Sequence, residues 1–540
     1  MTDPRRRLHA LTGLDGERVF DALRRGASRR DVLKLLAGLG MGAALSGRVL
    51  AQATAVRAAT PRYGGRLRVA SATASIADTL DPAKQSNQTD YSRGCMLYNG
   101  LTALDGRLSP QPSLAERFES DDALTWVFKL RRGVVFHDGR PLRPQDVVYS
   151  LLRHKDPATV SRAKLLADQI ESVYASAADE VTVHLHRPNA DLPVILGTFH
   201  FHIVPDGTTD FSRGIGTGPY RLKEFKRGLR SVVVRNERYW KPGKPYLDEI
   251  EFSGLGDESA RVNALLSGDL DLVASIDPRS AARVRATPGY AMFVTPSGQY
   301  TNLAMRMDME PGCRQDFVQS MKYLFDRRQM LDSITLGQAV MGNDQPIDPN
   351  NRFWFADLPQ RPYDLDRARY HFRRSGLDNT PIPVVASPAA TYSVEMALTL
   401  QQAARRIGMD LQVRRMPADG YWSNHWGKSA VGFGNVNQRP NADTVLTQFF
   451  KSDASWNDAH WHSAHFDQLL LAARSELDFE RRKQMYADMQ TLIHLQGGVA
   501  IPLFLSSLDA HTSRLKGLLP NPLGGLMGYA FAENVWLEDA

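Results

Sequence analysis

The sequence predicts a mixed α/β fold, and three features of its 540 residues carry that reading. Short runs rich in β-branched and aromatic residues, bounded by Gly, Pro or Asp, recur through the first half and read as strands. From about residue 302 the pattern changes to longer segments with apolar residues at helical spacing. Two of those segments end at glycine and pass at once into a strand-like run. The composition, 43% hydrophobic and 23% charged, is that of an ordinary globular chain. It excludes disordered, collagen-like and multispanning membrane classes. The length admits two or three packed domains.

In chain order, the first element is a leader. Ser28-Arg29-Arg30-Asp31-Val32-Leu33-Lys34 precedes an uncharged run of 13 residues, 35–47, that is rich in Gly and Ala and too short to span a bilayer. Ala51-Gln52-Ala53 then offers a small-x-small cleavage site, with Ala53-Thr54-Ala55 as the rival. The segment resembles a twin-arginine export signal, with Val32 where Phe is commoner. It implies the twin-arginine translocase as an export partner and a periplasmic destination. No Cys stands at the cleavage site to carry a lipid.

Strands are expected at 66–70, 125–130, 181–186, 231–235 and 249–252, with a subdomain over about 101–206. Phe317, Met321, Leu324 and Phe325 form one helical face. Residues 392–407 read as a helix stopped by Gly408 and followed by a strand at 410–414. Residues 479–495 read as another, stopped by Gly497-Gly498 before a buried strand at 499–505. Residues 133–139 read as a short strand closed by an Asp-Gly turn, in which Gly139 supplies positive φ and Phe136 the buried face.

The net charge of +7 does not describe the body of the chain. Residues 1–53 hold ten Lys/Arg against five Asp/Glu, and the remainder holds 56 against 54. So balanced a body gives no electrostatic case for a nucleic-acid partner. Cys95 and Cys313 stand in no metal-like spacing and are expected to be isolated, buried thiols. Gly214-Ile215-Gly216-Thr217-Gly218 lacks the Lys and following helix of a phosphate loop. His137-Asp138 reads as part of a turn. His200 and His202 alternate as in a strand, and His460, His462 and His465 fall in a segment, 456–466, that reads as loop. No metal, cofactor or catalytic residue is assigned.

Seven separated segments carry a resemblance: LAERFESDDALTWVFKLRRGVVFHDGRPLRPQDVVYSLLR (114–153), GTGPYRLKEF (216–225), NERYWKPGKPYLDEIEF (236–252), RVNALLSGDLDLV (261–273), YLFDRRQML (323–331), YDLDRARYHFRRSGL (363–377) and FDQLLLAARSELD (466–478). In this order they resemble the peptide/nickel/opine-type solute-binding proteins, family 5 of the extracellular solute-binding proteins, from about residue 63 to the end. The resemblance implies an α/β, two-lobed periplasmic binding protein fold (type II, large peptide-binding-type cluster) with an extra subdomain in lobe I. Lobe I would be 63–297 plus 507–540, lobe II 298–506, and the hinge segments 298–305 and 501–508. It implies a monomeric, non-enzymatic protein that captures di- or oligopeptides, or alternatively a nickel complex, opine or oligosaccharide, and delivers them to the permease subunits of an ABC importer in the inner membrane; a periplasmic ligand sensor or chaperone is the second alternative.

Peptide-binding relatives carry an acidic residue for the ligand's α-ammonium in a loop that the resemblance matches to 432–444. Aligned from its end, this loop places Asn441 there. Asp443 could compensate, Arg439 could meet a ligand carboxylate, or Arg439 and Asp443 could pair with one another. Asn437 lies in the same loop. Trp422 and Trp426, with Tyr421, precede it and suit either an apolar ligand wall or core packing. Asn87 and Tyr91 are the lobe I candidates, and Asn302 sits at the expected hinge.

Overall fold

The computed structural model describes residues 61–539; the twin-arginine leader and its cleavage sites lie outside them. Most of the described strands join one twelve-stranded mixed sheet. Strand β1 (Arg66–Ser71) feeds helix α1 (Gln88–Leu97) and pairs in parallel with both Glu249–Gly254 and β2 (Leu272–Val273). At the centre lies the 16-residue β3 (Tyr290–Met305), antiparallel to β4 (Val431–Val436) on one side and to β5 (Leu503–Thr512) on the other.

The length of β3 and β5 follows from what their two ends bury. Met292 and Val294, early in β3, pack with Ala70, Val262, Leu508 and Ala510. Leu303 and Met305, late in β3, belong to a different core with Phe317, Val384 and Phe433. One strand thus serves two cores, and the chain is two-lobed, with β3 and β5 passing between the lobes. The ladder between them slips between Pro296 and Gln299, where proline has no N–H to give to the pairing.

The region 101–206 holds a four-stranded antiparallel sheet whose members include Thr125–Leu130 and Glu180–Leu185, with its own core around Trp126, Phe128, Val183 and Phe201. On the far lobe, Phe317, Met321, Leu324 and Phe325 are all at most 1% exposed, as their spacing predicts. Each such side chain contributes about 1.5–3 kcal/mol of burial. Helix α2 (Ser393–Arg405) gives way at Gly408, φ +82°, to the strand Leu411–Arg415. Helix α3 (Ala442–Phe449) follows the loop after β4, and α4 (Phe479–Gln496) precedes β5.

Four local expectations are corrected. Residues 133–139 form turns with a single bridge between Val135 and Pro141 rather than a strand, although Gly139 has φ +93° and Phe136 is buried. The strand expected at 499–505 breaks at Ile501-Pro502 into Val499–Ala500 and β5, because the proline cannot donate to the ladder. His200 lies in a short 3₁₀ turn, Phe199–Phe201, rather than in a strand with His202. Cys313 is exposed and Cys95 half-buried, so neither is the buried thiol expected, although desolvation pushes the Cys95 thiol up to about 12. Both thiols are free.

Candidate functional site

Beside the slip in β3, the loop that follows β4 folds back over Gly298. The Gly298 N–H donates to Gln438 Oε1, and Gln438 Nε2 donates to the Arg439 carbonyl at 2.6 Å. A second segment, 346–351, arrives from the other side. A Cβ at Gly298 would lie 2.6 Å from both Asp348 Oδ2 and Gln438 Oε1, so only glycine lets the two oxygens come this close to the strand. The recess so formed, about 10 Å³, is lined by Asp348, Asn351, Asn437, Gln438, Arg439 and Asn441 among others. That is room for one water-sized group.

The polar groups of the recess are incompletely paired. Asp348 is 2% exposed, and its Oδ1 accepts the Asn350 N–H at 2.9 Å, which closes a local turn. Among the described residues no cation pairs with it, and burial raises its pKa. Arg439 donates from Nε to Gln448 Oε1 at 2.8 Å and from Nη1 to the Asn437 carbonyl at 3.2 Å. Its guanidinium lies over the rings of Phe449 and Trp456, at 5.4 and 5.9 Å from their centroids. No carboxylate pairs with it among the described residues, and burial lowers its pKa. Asn441 caps α3, its Oδ1 accepting the Thr444 N–H at 2.9 Å, while its buried Nδ2 has no partner there.

Asp443 does not pair with Arg439. Its carboxylate meets Arg474 at 3.1 and 3.2 Å, and Arg474 also donates to Thr447 Oγ1 at 2.7 Å. The reason is helical: Asp443 lies in the first turn of α3, facing the neighbouring helix Ala464–Ser475 rather than the loop. Burial nevertheless raises its pKa against the pull of Arg474.

An aromatic row leads away from Arg439. Phe449 and Trp456 have centroids 5.4 Å apart, Trp456 and Trp426 6.4 Å, Trp426 and Trp422 6.0 Å, and Trp422 and Tyr421 5.3 Å. Tyr421 is core, its hydroxyl donating to the Phe433 carbonyl at 2.7 Å, whereas Trp422 is 42% exposed. Trp426 Nε1 and Asn302 Nδ2 both donate to Asp458 Oδ2, at 3.1 and 3.0 Å, beneath Gly434. Asn302 is therefore part of the floor of the row and is 3% exposed.

The lobe I candidates lie outside the lining of this recess. Asn87 caps α1, its Oδ1 accepting the Thr89 and Asp90 N–H groups at 3.0 and 3.1 Å. Tyr91 stacks on Phe199 at 3.7 Å and meets Tyr529 edge-on at 5.2 Å. His460 approaches the Gly427 carbonyl at 3.3 Å, and His462 and His465 are exposed. Among the described residues no three His, Cys, Asp or Glu side chains come together as a metal site.

Sequence reasoning missed Asp348, Gln438 and Trp456. Asp348 had no signal: of its neighbours Gln345, Pro346, Ile347 and Pro349, only Ile347 is of a type that favours burial. Gln438 and Trp456 had none, since only folding brings them to Gly298 and Arg439.

Residues 109–457 match the model of the bacterial extracellular solute-binding proteins, family 5, middle region. The glutathione-binding protein GsiB of Escherichia coli (strain K12) is 24% identical over 460 residues, covering 81% of this chain and 89% of its own. Among solved structures, HbpA2 from Haemophilus parasuis superposes with a TM-score of 0.78 at 20% identity, over 88% of this chain and 100% of that one. The periplasmic binding protein DppA from Helicobacter pylori, in complex with the peptide STSA, superposes with a TM-score of 0.69 at 21% identity, over 88% and 99%.

Proposed function

Because the chain belongs to the bacterial extracellular solute-binding proteins, family 5, we propose that it captures di- or oligopeptides between its two lobes and delivers them to the permease subunits of an ABC importer. The observation that carries the peptide reading is the unbalanced charge of the recess beside Gly298. Among the described residues Asp348 is a buried anion without a cation, and Arg439 is a half-buried cation without an anion, on one lining. Leaving either alone in a low-dielectric site is unfavourable, and a ligand carrying both an ammonium and a carboxylate compensates both. The aromatic row from Phe449 to Trp422 supplies surface for side chains beyond that point.

The mechanism follows from the two crossing strands. Ligand that touches both lobes stabilises their closed arrangement by its differential affinity for it. Recognition by the permease of that closed form completes delivery, and no bond is made or broken. Export to the periplasm through the twin-arginine translocase, and a monomeric state, belong to the same proposal.

The absence of an acid at Asn441 favours a second reading, a carboxylated non-peptide solute such as an opine or a chelated metal, held through Arg439 alone. Mass spectrometry of ligand released from protein purified gently from its native periplasm separates the two. A mixture of short peptides supports the first reading; one non-peptide species sinks it and leaves solute binding standing.

A further inference from the structure

Resting on the peptide reading, we infer that Asp348, together with Gln438, seats the α-ammonium of the ligand's first residue, in place of the acid that the loop lacks at Asn441. Four observations converge on this. Asp348 uses Oδ1 for the turn to Asn350 and turns Oδ2 toward Gly298. Gln438 Oε1 reaches the same spot from the opposite segment, so two acceptor oxygens flank the bare Cα. The recess between them, about 10 Å³, holds one group of ammonium size. Asn441 lines that recess with a buried Nδ2 that lacks an acceptor, as a donor to the carbonyl that follows an α-ammonium would.

The arrangement has the polarity of an aminoacyl terminus: acceptors for the ammonium on the Gly298 side, a donor for the carbonyl on the α3 side. Asn441 cannot itself supply the counter-charge, and Asp443 is held by Arg474. Asp348 is the carboxylate left on the lining. Its local role, closing the turn at Asn350, needs only an oxygen at Oδ1, which asparagine also provides.

The test uses mature, ligand-stripped protein and two probes: a pool of random di- to hexapeptides, and the same pool acetylated at its amino termini. Retained peptides are identified by mass spectrometry, and titration calorimetry on one retained peptide gives affinities. The expected result is retention of the free-amine pool, loss of the acetylated pool, and weakening by about 30-fold or more in Asp348→Asn, the loss of a buried charged hydrogen bond. Gly298→Ala, which would put a methyl into the seat, is expected to behave alike. Unfolding midpoints of both variants separate lost binding from lost folding. Equal retention of both pools, or wild-type affinity in folded Asp348→Asn, overturns the inference and leaves peptide capture standing. Retention of neither pool overturns the peptide reading and the inference with it.

Discussion

Asp191 and Arg482 form a buried ion pair across the two halves of the molecule: Arg482 Nη2 lies 2.6 Å from Asp191 Oδ2, and Nη1 donates to Oδ1 at 2.9 Å. Arg352 adds a third contact at 3.0 Å. Asp191 opens the short helix Leu192–Ile195, which packs in the core around Trp126 and Phe128, while Arg482 belongs to α4, which packs in a separate core with Phe353 and Phe466. The neighbouring Ala190 N–H donates to the Arg474 carbonyl at 2.8 Å. Since Arg474 also holds Asp443 at the start of α3, the joint is continuous with the helix that carries Asn441.

Asp191→Asn is therefore expected to destabilise the fold by about 3–5 kcal/mol, because it strands two guanidinium groups in a buried site. Burial alone would raise the Asp191 pKa, but Arg482 and Arg352 outweigh it and hold it below the ordinary 3.8. A lowered carboxylate pKa gives stability that is complete above the unfolded value and is lost as pH falls through the folded one. Urea titrations should show a constant gap between wild type and variant from about pH 5 upward, narrowing below about pH 4. A gap under about 1 kcal/mol at pH 7 would show the pair to be dispensable.

Gly434→Ala tests the floor of the aromatic row. Its Cβ would fall 2.7 Å from Asp458 Oδ2, 2.8 Å from Asn302 Oδ1 and 3.0 Å from Trp426 Nε1, all on buried or half-buried side chains. A loss of about 1–3 kcal/mol is expected, as for other overpacked interiors. Thermal melts followed by tryptophan fluorescence read both the stability and the displacement of Trp426.

Arg439→Gln should lower affinity for retained peptides by about 10–100-fold, the loss of a charge-assisted contact, with little change in the unfolding midpoint. Arg439→Lys should recover only part of it, since lysine lacks the planar fork and the stacking on Phe449 and Trp456. Calorimetry distinguishes these outcomes; full recovery in the lysine variant would mean that charge alone acts there.

Arg29→Lys combined with Arg30→Lys should leave the protein unprocessed inside the cell if the leader works as a twin-arginine signal. Fractionation and the size of the accumulated chain check this. Unchanged periplasmic yield would remove the twin-arginine route while leaving the binding site untouched.

The sequence by itself determined the mixed α/β class, the helical face of Phe317, Met321, Leu324 and Phe325, the Gly408 stop and the family, because these rest on local periodicity, local backbone freedom and collinear motifs. It also put Asn437, Arg439 and Asn441 in one loop, where adjacency in sequence is adjacency in space. Only the tertiary structure decided which charges remain uncompensated. Asp443 is neutralised by Arg474, 31 residues on, while Asp348 and Gln438, 90 residues apart, converge on Gly298. Ion pairing and desolvation act through space at a few ångströms, and the chain separation of the partners does not enter them. The strand break at Pro502 is a local effect that the expected strand at 499–505 overlooked, whereas the pairing of β3 with β5, which joins the lobes, depends on contacts some 200 residues apart, such as Tyr300 with Phe504.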